Sequence, residues 1–187
     1  MNSNTRAPET VVCNGKQFRI LIHQDELQRR TAELGAKISE DYKDKKPIFI
    51  GVLNGAFIFM ADLLRYVDIP CEVDFYKLSS YGDEKVSSGM VTERKDIDAD
   101  IEGRHIILVE DIVDTGLSAN YIINIVEKKK PASVALVSLL HKPDAIKYHV
   151  DVDYVGFNIE TLFVLGYGLD YAQEGRNLPH IYVIDEN

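Results

Sequence analysis

The chain has 187 residues, enough for one domain with a sizeable core. Its 45% hydrophobic and 27% charged residues are those of an ordinary globular protein, and no apolar run nears the roughly 20 residues that a bilayer crossing needs. The formal net charge of −9 disfavours nucleic acid as a partner, because gripping phosphates takes lysine and arginine gathered on one face; KDKK at 43–46 and KKK at 128–130 read instead as solvated helix ends.

Taken in chain order, the opening MNSNTRAPET holds no apolar stretch of the kind a signal peptide needs, and the first 20 residues offer one strand at most. The two cysteines, Cys13 and Cys71, lie far apart and without metal-ligand spacing, so reduced thiols in a cytoplasmic protein are expected. A helix is predicted over 25–42, a strand over 47–53, a helix over 55–67 and a strand over 71–76. The segment 79–103 is long, polar and punctuated by glycine, which suits either a mobile lid or a surface excursion. A strand over 105–110 is followed by a helix over 118–130, which ends in three lysines and Pro131, cations at the negative end of the dipole before a stop. Three more strands are predicted over 133–140, 153–157 and 180–185. The middle strands are nearly continuous in valine, isoleucine and leucine, as strands covered on both faces are.

Strand alternating with helix defines an α/β fold: a mostly parallel sheet flanked by helices and joined by right-handed crossovers. Ligands of such sheets collect beyond the carboxyl ends of the strands. The loops 53–56, 111–118 and 141–144 are therefore expected to meet there.

The middle loop carries most of the chemistry. After HIILVE the chain meets two adjacent acids, Glu110 and Asp111, then Asp114, Thr115, Gly116, Leu117, Ser118 and Ala119 at the entry to a helix. Gly116 permits a positive φ, and the first amides of a helix have no partners within it. Those donors, with the Thr115 and Ser118 hydroxyls, suit a phosphate dianion, although either hydroxyl would equally serve as a plain helix cap. The turn has no GxxxxGK[ST] pattern, which excludes a Walker-type loop. Two acids beside a phosphate site would repel the ligand unless they contact something else. Vicinal sugar hydroxyls and Mg²⁺ both fit, and a ribose 5-phosphate satisfies every part of the pattern.

ILVEDIVDTGLSA resembles the phosphoribosyl-pyrophosphate signature of the type I phosphoribosyltransferases. Further motifs follow that family's hypoxanthine (hypoxanthine-guanine) branch in order: GVLNGAF at 51–57, SSYG at 79–82, SLLHKP at 138–143 and FVLGYGLDYAQEGRNLPHIYVI at 163–184. The resemblance runs from about Ile48 to Asp185. It implies a single phosphoribosyltransferase domain over 1–187, with a lid at about 79–103 and a small hood from the N-terminal segment and about 158–187.

The resemblance also implies roles. Glu110 and Asp111 take the ribose hydroxyls, partly through Mg²⁺, and Asp114 lies near the purine N7 as general base or acid. Thr115, Gly116, Leu117, Ser118 and Ala119 hold the 5′-phosphate. Leu53, Asn54, Gly55 and Arg176 meet the pyrophosphate, with an unusual backbone, even a non-proline cis peptide, between Leu53 and Asn54. Lys142 donates to the 6-oxo group, Phe163 stacks on the base, and Val164 offers its backbone to the ring edge. Asp170 helps hold the second Mg²⁺. Ser80 and Tyr81 belong to the lid that excludes water. Leu117 and Asn54 depart from the family pattern, which often has lysine at both places, so the grip on phosphate and pyrophosphate rests more on backbone amides and metal. The five histidines show no metal-like spacing and are expected to be structural.

The implied activity is transfer of 5-phosphoribosyl from phosphoribosyl pyrophosphate to N9 of hypoxanthine or guanine, in purine salvage, by a cytoplasmic homodimer or homotetramer. A xanthine-preferring enzyme and a regulatory nucleic-acid-binding protein of the same fold are the alternatives. An acid-pocket receiver domain would explain Glu110 and Asp111 but leave the DTG turn, Lys142 and the 163–176 stretch without a role.

Overall fold

The computed structural model describes residues 8–80 and 91–185, with side chains described outside 78–95. An N-terminal hairpin, β1 (Thr10–Cys13) and β2 (Lys16–Ile22), leads into α1 (Gln24–Asp41). There follow β3 (Ile48–Leu53), α2 (Phe57–Leu64), β4 (Glu72–Ser80), β5 (Val91–Lys95), β6 (His105–Val113), α3 (Leu117–Lys128) and β7 (Ser133–His141). A short 3-10 turn at Pro143–Ala145 precedes β8 (Tyr154–Asn158), β9 (Val164–Leu165) and β10 (Ile181–Ile184).

The main sheet has six strands in the order β5-β4-β3-β6-β7-β8. All its pairings are parallel except β4 with β5. Side chains alternate across a strand, so the central strands bury both faces. On one face, Phe49, Ile107, Val109 and Val137 pack with Leu27, Leu34 and Ile38 of α1 and Phe59, Met60 and Leu63 of α2. On the other, Ile48, Ile50, Ile106, Leu108 and Leu136 pack with Ile122 and Val126 of α3. The buried positions of α1, namely Leu27, Thr31, Leu34, Gly35 and Ile38, follow the helical period that turns one stripe to the sheet.

A second, antiparallel sheet of four strands runs in the order β1-β2-β10-β9. It buries Phe18, Leu165 and Tyr182 around Cys13 on one side and adds Val164, Ile181 and Val183 to the larger core on the other. This sheet joins the ends of the chain, and α1 starts against it: the Gln24 amide donates to Nδ1 of the buried His180 at 2.9 Å. Among the described residues no helix is long and apolar enough to cross a membrane.

Three segments differ from the sequence expectation. β6 does not stop at Glu110 but pairs with β7 as far as Val113↔His141, so both acids lie within the strand. The N-terminal segment is a full hairpin. The 79–103 segment is not one loop: Val91–Lys95 pairs with β4 at the sheet edge, and Ile97 and Ile101 are buried beneath it. An edge strand is free of the two-sided burial that made its neighbours legible, so VTERK carries little strand signal.

Ile101, only 2% exposed, gives the test of that last point. Ile101→Ala is expected to cost about 2–4 kcal/mol in urea unfolding at unchanged m-value. A loss below about 1 kcal/mol would show that the return after β5 is not part of the core.

Candidate active site

The carboxyl ends of β3 and β6 and the start of α3 enclose a cavity of about 340 Å³. Leu53, Gly55, Glu110, Asp111 and the whole run Asp114–Ala119 line it. The turn into α3 is made by Gly116, whose φ of 81° occupies the helix N-cap and which has no side chain to cap with. The Thr115 hydroxyl accepts the Leu117 amide at 3.4 Å, so one of the two cap candidates of the sequence is engaged at the helix start, at the long end of hydrogen-bond range. A Cβ at Gly116 would overlap the Tyr148 carbonyl oxygen. The Thr115 carbonyl accepts the Lys147 and Tyr148 amides, both at 3.0 Å, so the turn is fixed from behind.

Glu110 and Asp111, consecutive in β6, both line the cavity. Glu110 is 5% exposed and its Oε1 has no hydrogen-bond partner among the described residues. Burial first, and the neighbouring Asp111 charge second, push its pKa well above the usual carboxylate range. Asp111 is half-buried and lies against the loop after β3, where a Cβ at Gly55 would overlap its carboxylate. Burial raises its pKa to about 6, although its own amide and that of Ile112 donate to it and Arg176 stands near; Asp170 adds repulsion.

The peptide between Leu53 and Asn54 is cis, as the resemblance implied. Leu53 and Gly55 line the cavity, whereas Asn54 is exposed and outside its lining. Arg176 lines no part of it either. Its Nη2 pairs with Asp170 Oδ1 at 2.6 Å, and its Nη1 donates to the Gly168 carbonyl at 2.8 Å.

A second cavity of about 250 Å³ shares Asp111, Ile112 and Asp114 with the first and continues to Lys142, Phe163, Val164, Leu169 and Asp170. Lys142 has a buried side chain whose Nζ donates to Asp114 Oδ2 at 2.8 Å, while the Asp114 side chain remains 47% exposed. The Lys142 amide donates to the Val113 carbonyl, which pins the start of the 3-10 turn to the end of β6. Phe163 is 44% exposed on the cavity wall. Tyr171 meets it edge-on at 5.1 Å between ring centroids, and Phe18 lies behind at 6.2 Å. Phe18 and Tyr171 had no sequence signal for this role, since the ring of one comes from β2, more than a hundred residues away. Ser80 closes β4, and Tyr81 lies outside the described residues. Among the described residues no three histidine, cysteine or acidic side chains converge on a metal position. Glu110, Asp111 and Asp170 thus do not form a closed cage.

A parallel sheet with a phosphate-ready turn at its carboxyl edge and two acids beside it defines a class of nucleotide-handling α/β proteins. Residues 22–172 match the model of the Phosphoribosyl transferase domain, and the chain belongs to that family. It is 46% identical over 166 residues to a hypoxanthine-guanine phosphoribosyltransferase of Bacillus subtilis (strain 168), a match covering 89% of this chain and 92% of the relative. A hypoxanthine phosphoribosyltransferase structure from Staphylococcus aureus superposes with a TM-score of 0.85 at 36% identity, covering 89% of this chain and 91% of that one. A Trypanosoma cruzi hypoxanthine phosphoribosyltransferase solved as a ternary substrates complex gives a TM-score of 0.83 at 39% identity, over 89% of this chain and 95% of the other.

The position of Glu110 makes a stability prediction. A carboxyl whose pKa is raised on folding binds more protons in the native state, so stability falls as pH rises through the window above the ordinary carboxylate value. Glu110→Gln removes that penalty. In metal-free protein its Tm is expected to rise by several degrees at pH 8, on the scale of about 2–4 °C per kcal/mol, and to change little near pH 4. A variant that melts lower at pH 8 would contradict the assignment of Glu110 as an uncompensated buried acid.

Proposed function

We propose that the chain catalyses Mg²⁺-dependent transfer of the 5-phosphoribosyl group from phosphoribosyl pyrophosphate to N9 of hypoxanthine and guanine, releasing inosine or guanosine monophosphate and pyrophosphate. One observation carries the reading: the cavity at the turn and the Phe163 cavity adjoin, and Asp111, Ile112 and Asp114 line both. A phosphorylated ribose in one and a flat base in the other meet at C1 beside those residues.

The roles are those that the resemblance implies. The amides of Thr115–Ala119 and the Thr115 and Ser118 hydroxyls hold the 5′-phosphate, and Leu117 adds no charge. Glu110 and Asp111 take the ribose hydroxyls, whose O–H donors would satisfy the orphaned Glu110 Oε1. Leu53, Asn54 and Gly55 with Arg176 face the pyrophosphate. Phe163 stacks on the base, and the Val164 backbone meets the ring edge. Lys142 has three N–H donors; one serves Asp114 and the others reach the 6-oxo oxygen, which adenine lacks. Asp114 exchanges the proton at N7 as the bond from N9 to C1 forms and the bond from C1 to the pyrophosphate oxygen breaks.

Glu110, Asp111 and Asp170 suit Mg²⁺, a hard ion that binds through one or two carboxylates plus substrate oxygens and needs no protein cage. When bound, it neutralises charge on the departing pyrophosphate. The chain's own electrostatic contribution is to set acids beside the positive ribose of the transition state and amides beside its phosphate. The lid that the resemblance implies, with Ser80 and Tyr81 at its start, is assigned to the stretch between β4 and β5, and the four-stranded sheet acts as the hood. A cytoplasmic homodimer or homotetramer completes the reading.

The test is a mass-resolved assay of nucleotide formation from hypoxanthine, guanine and xanthine with phosphoribosyl pyrophosphate and Mg²⁺. Inosine and guanosine monophosphate are expected, and Asp114→Asn is expected to lower kcat by about 100-fold or more with sugar binding mostly kept. A dominant xanthine rate would overturn the base assignment, and no nucleotide from any base would overturn the activity.

A further inference from the structure

The turn that follows the base-facing residues has an unusual backbone. Gly166, Tyr167 and Gly168 all have positive φ, at 99°, 50° and 109°. A tyrosine in that region is uncommon and marks a side chain that its surroundings hold in place. The turn is closed by Gly166 and Leu169 exchanging amide-to-carbonyl bonds at 3.0 and 3.1 Å, and the Tyr167 amide donates to the Leu178 carbonyl at 2.8 Å. Tyr167 is consequently aimed by backbone bonds on both sides.

Its side chain leaves the small sheet and crosses to the helix that follows the loop after β3. The Tyr167 hydroxyl, on a side chain 4% exposed overall, donates to Asp62 Oδ2 of α2 at 2.6 Å. Gln28 of α1 donates to the same Asp62 oxygen at 2.7 Å and to the Tyr167 oxygen at 3.1 Å. Burial, and then the bond to Asp62, push the tyrosine's pKa up, so the proton stays on Tyr167. A hydrogen bond to a charged acceptor in a buried setting is of the stronger kind. One residue further on, Gly168 packs against the loop itself: a Cβ there would overlap the Gly55 carbonyl oxygen. The carbonyl of Gly168 in turn accepts Arg176 Nη1.

The turn therefore touches the Leu53–Gly55 loop directly and grips, through Asp62, the helix that continues from it. We propose that Tyr167 is a positioning residue for the pyrophosphate end of the site. Through Asp62 it fixes α2, and with it the backbone of Leu53–Gly55, relative to the base-binding hood. The inference rests on the phosphoribosyl-transfer reading and adds to it a residue that contacts neither substrate. Loss of the hydroxyl frees the loop's anchoring helix without altering the cavity walls at Phe163, Val164 or Lys142, so its effect falls on the sugar substrate and not on the base.

Steady-state kinetics with both substrates varied test this on the full chain, for the unaltered protein, Tyr167→Phe, Asp62→Asn and the double variant. Each single variant is expected to raise KM for phosphoribosyl pyrophosphate, and the inhibition constant of pyrophosphate, by about tenfold, with KM for hypoxanthine nearly unchanged. The double variant is expected to be no worse than the more affected single one, because both remove the same bond. Equal rises in both KM values would mean general loosening and would overturn the assignment, as would no change in either. Tyr167→Phe keeps the ring and Asp62→Asn keeps the shape of the acceptor, and circular dichroism confirms that the folded state compared is the same. Turnover by the unaltered chain with unmoved constants in the variants sinks the positioning role alone; absence of turnover in the unaltered chain sinks the reading beneath it.

Discussion

The site depends on one constraint: β6 keeps its hydrogen-bond ladder with β7 past two consecutive carboxylates. A loop would let those acids turn to water. A strand fixes them at one cavity, with Asp111 against the loop after β3. Burying a charge without a partner is costly, and the orphaned Oε1 of Glu110 shows that the cost stands uncompensated within the chain. The raised pKa values of both acids have the same origin, since burial is the leading cause in each. Perturbed acids in a cleft mark places where a ligand completes the chemistry.

The remaining parts of the site are arranged around that strand end. Asp111 leaves room for no side chain at residue 55, so the β3 loop can approach only as glycine. The Lys142 amide bonds to Val113, the last residue of β6, which sets where the lysine side chain starts. Parallel sheets bring successive strand-to-helix loops to one edge, and here that rule gathers the loops of β3, β6 and β7. The small antiparallel sheet then supplies what a parallel sheet cannot, a wall carrying Phe163 over the edge.

Much of this was legible in the sequence because the relevant signals are local. Runs such as HIILV and SVALVSLL reveal strands covered on both faces, and KKKP ends a helix through its dipole and its proline. The DTG turn announces itself through one glycine that needs a positive φ. The failures are equally physical. A change from apolar to acidic residues reads as the end of a strand, yet the backbone ladder is indifferent to the side chains it carries, so Glu110 and Asp111 sat inside β6. The β1–β2 hairpin gains its stability from pairing with β10, whose register joins Phe18 to Ile184 across most of the chain. No local pattern records such a partner. The Tyr167–Asp62 bond is hidden for the same reason, being a contact between a turn and a helix that share only a place in space.

The pairing of Lys142 with Asp114 sets a buried cation against a half-open carboxylate on the wall of the second cavity. A buried ammonium cannot stay without a counter-charge, and Asp114 supplies it at 2.8 Å while keeping much of its own side chain open to the cavity. A ligand offering an acceptor to the lysine and a ring nitrogen to the aspartate can enter without separating the two. A ligand offering donors at the first position would face the two N–H groups that Asp114 does not take, with nothing to accept them. The ion pair is thus a structural necessity of burying Lys142 and, on the proposed function, also a filter on the base. Removing Asp114 strands a buried ammonium, whereas removing Lys142 leaves a carboxylate that is already half open to solvent, so the stability of this corner of the fold rests on the aspartate.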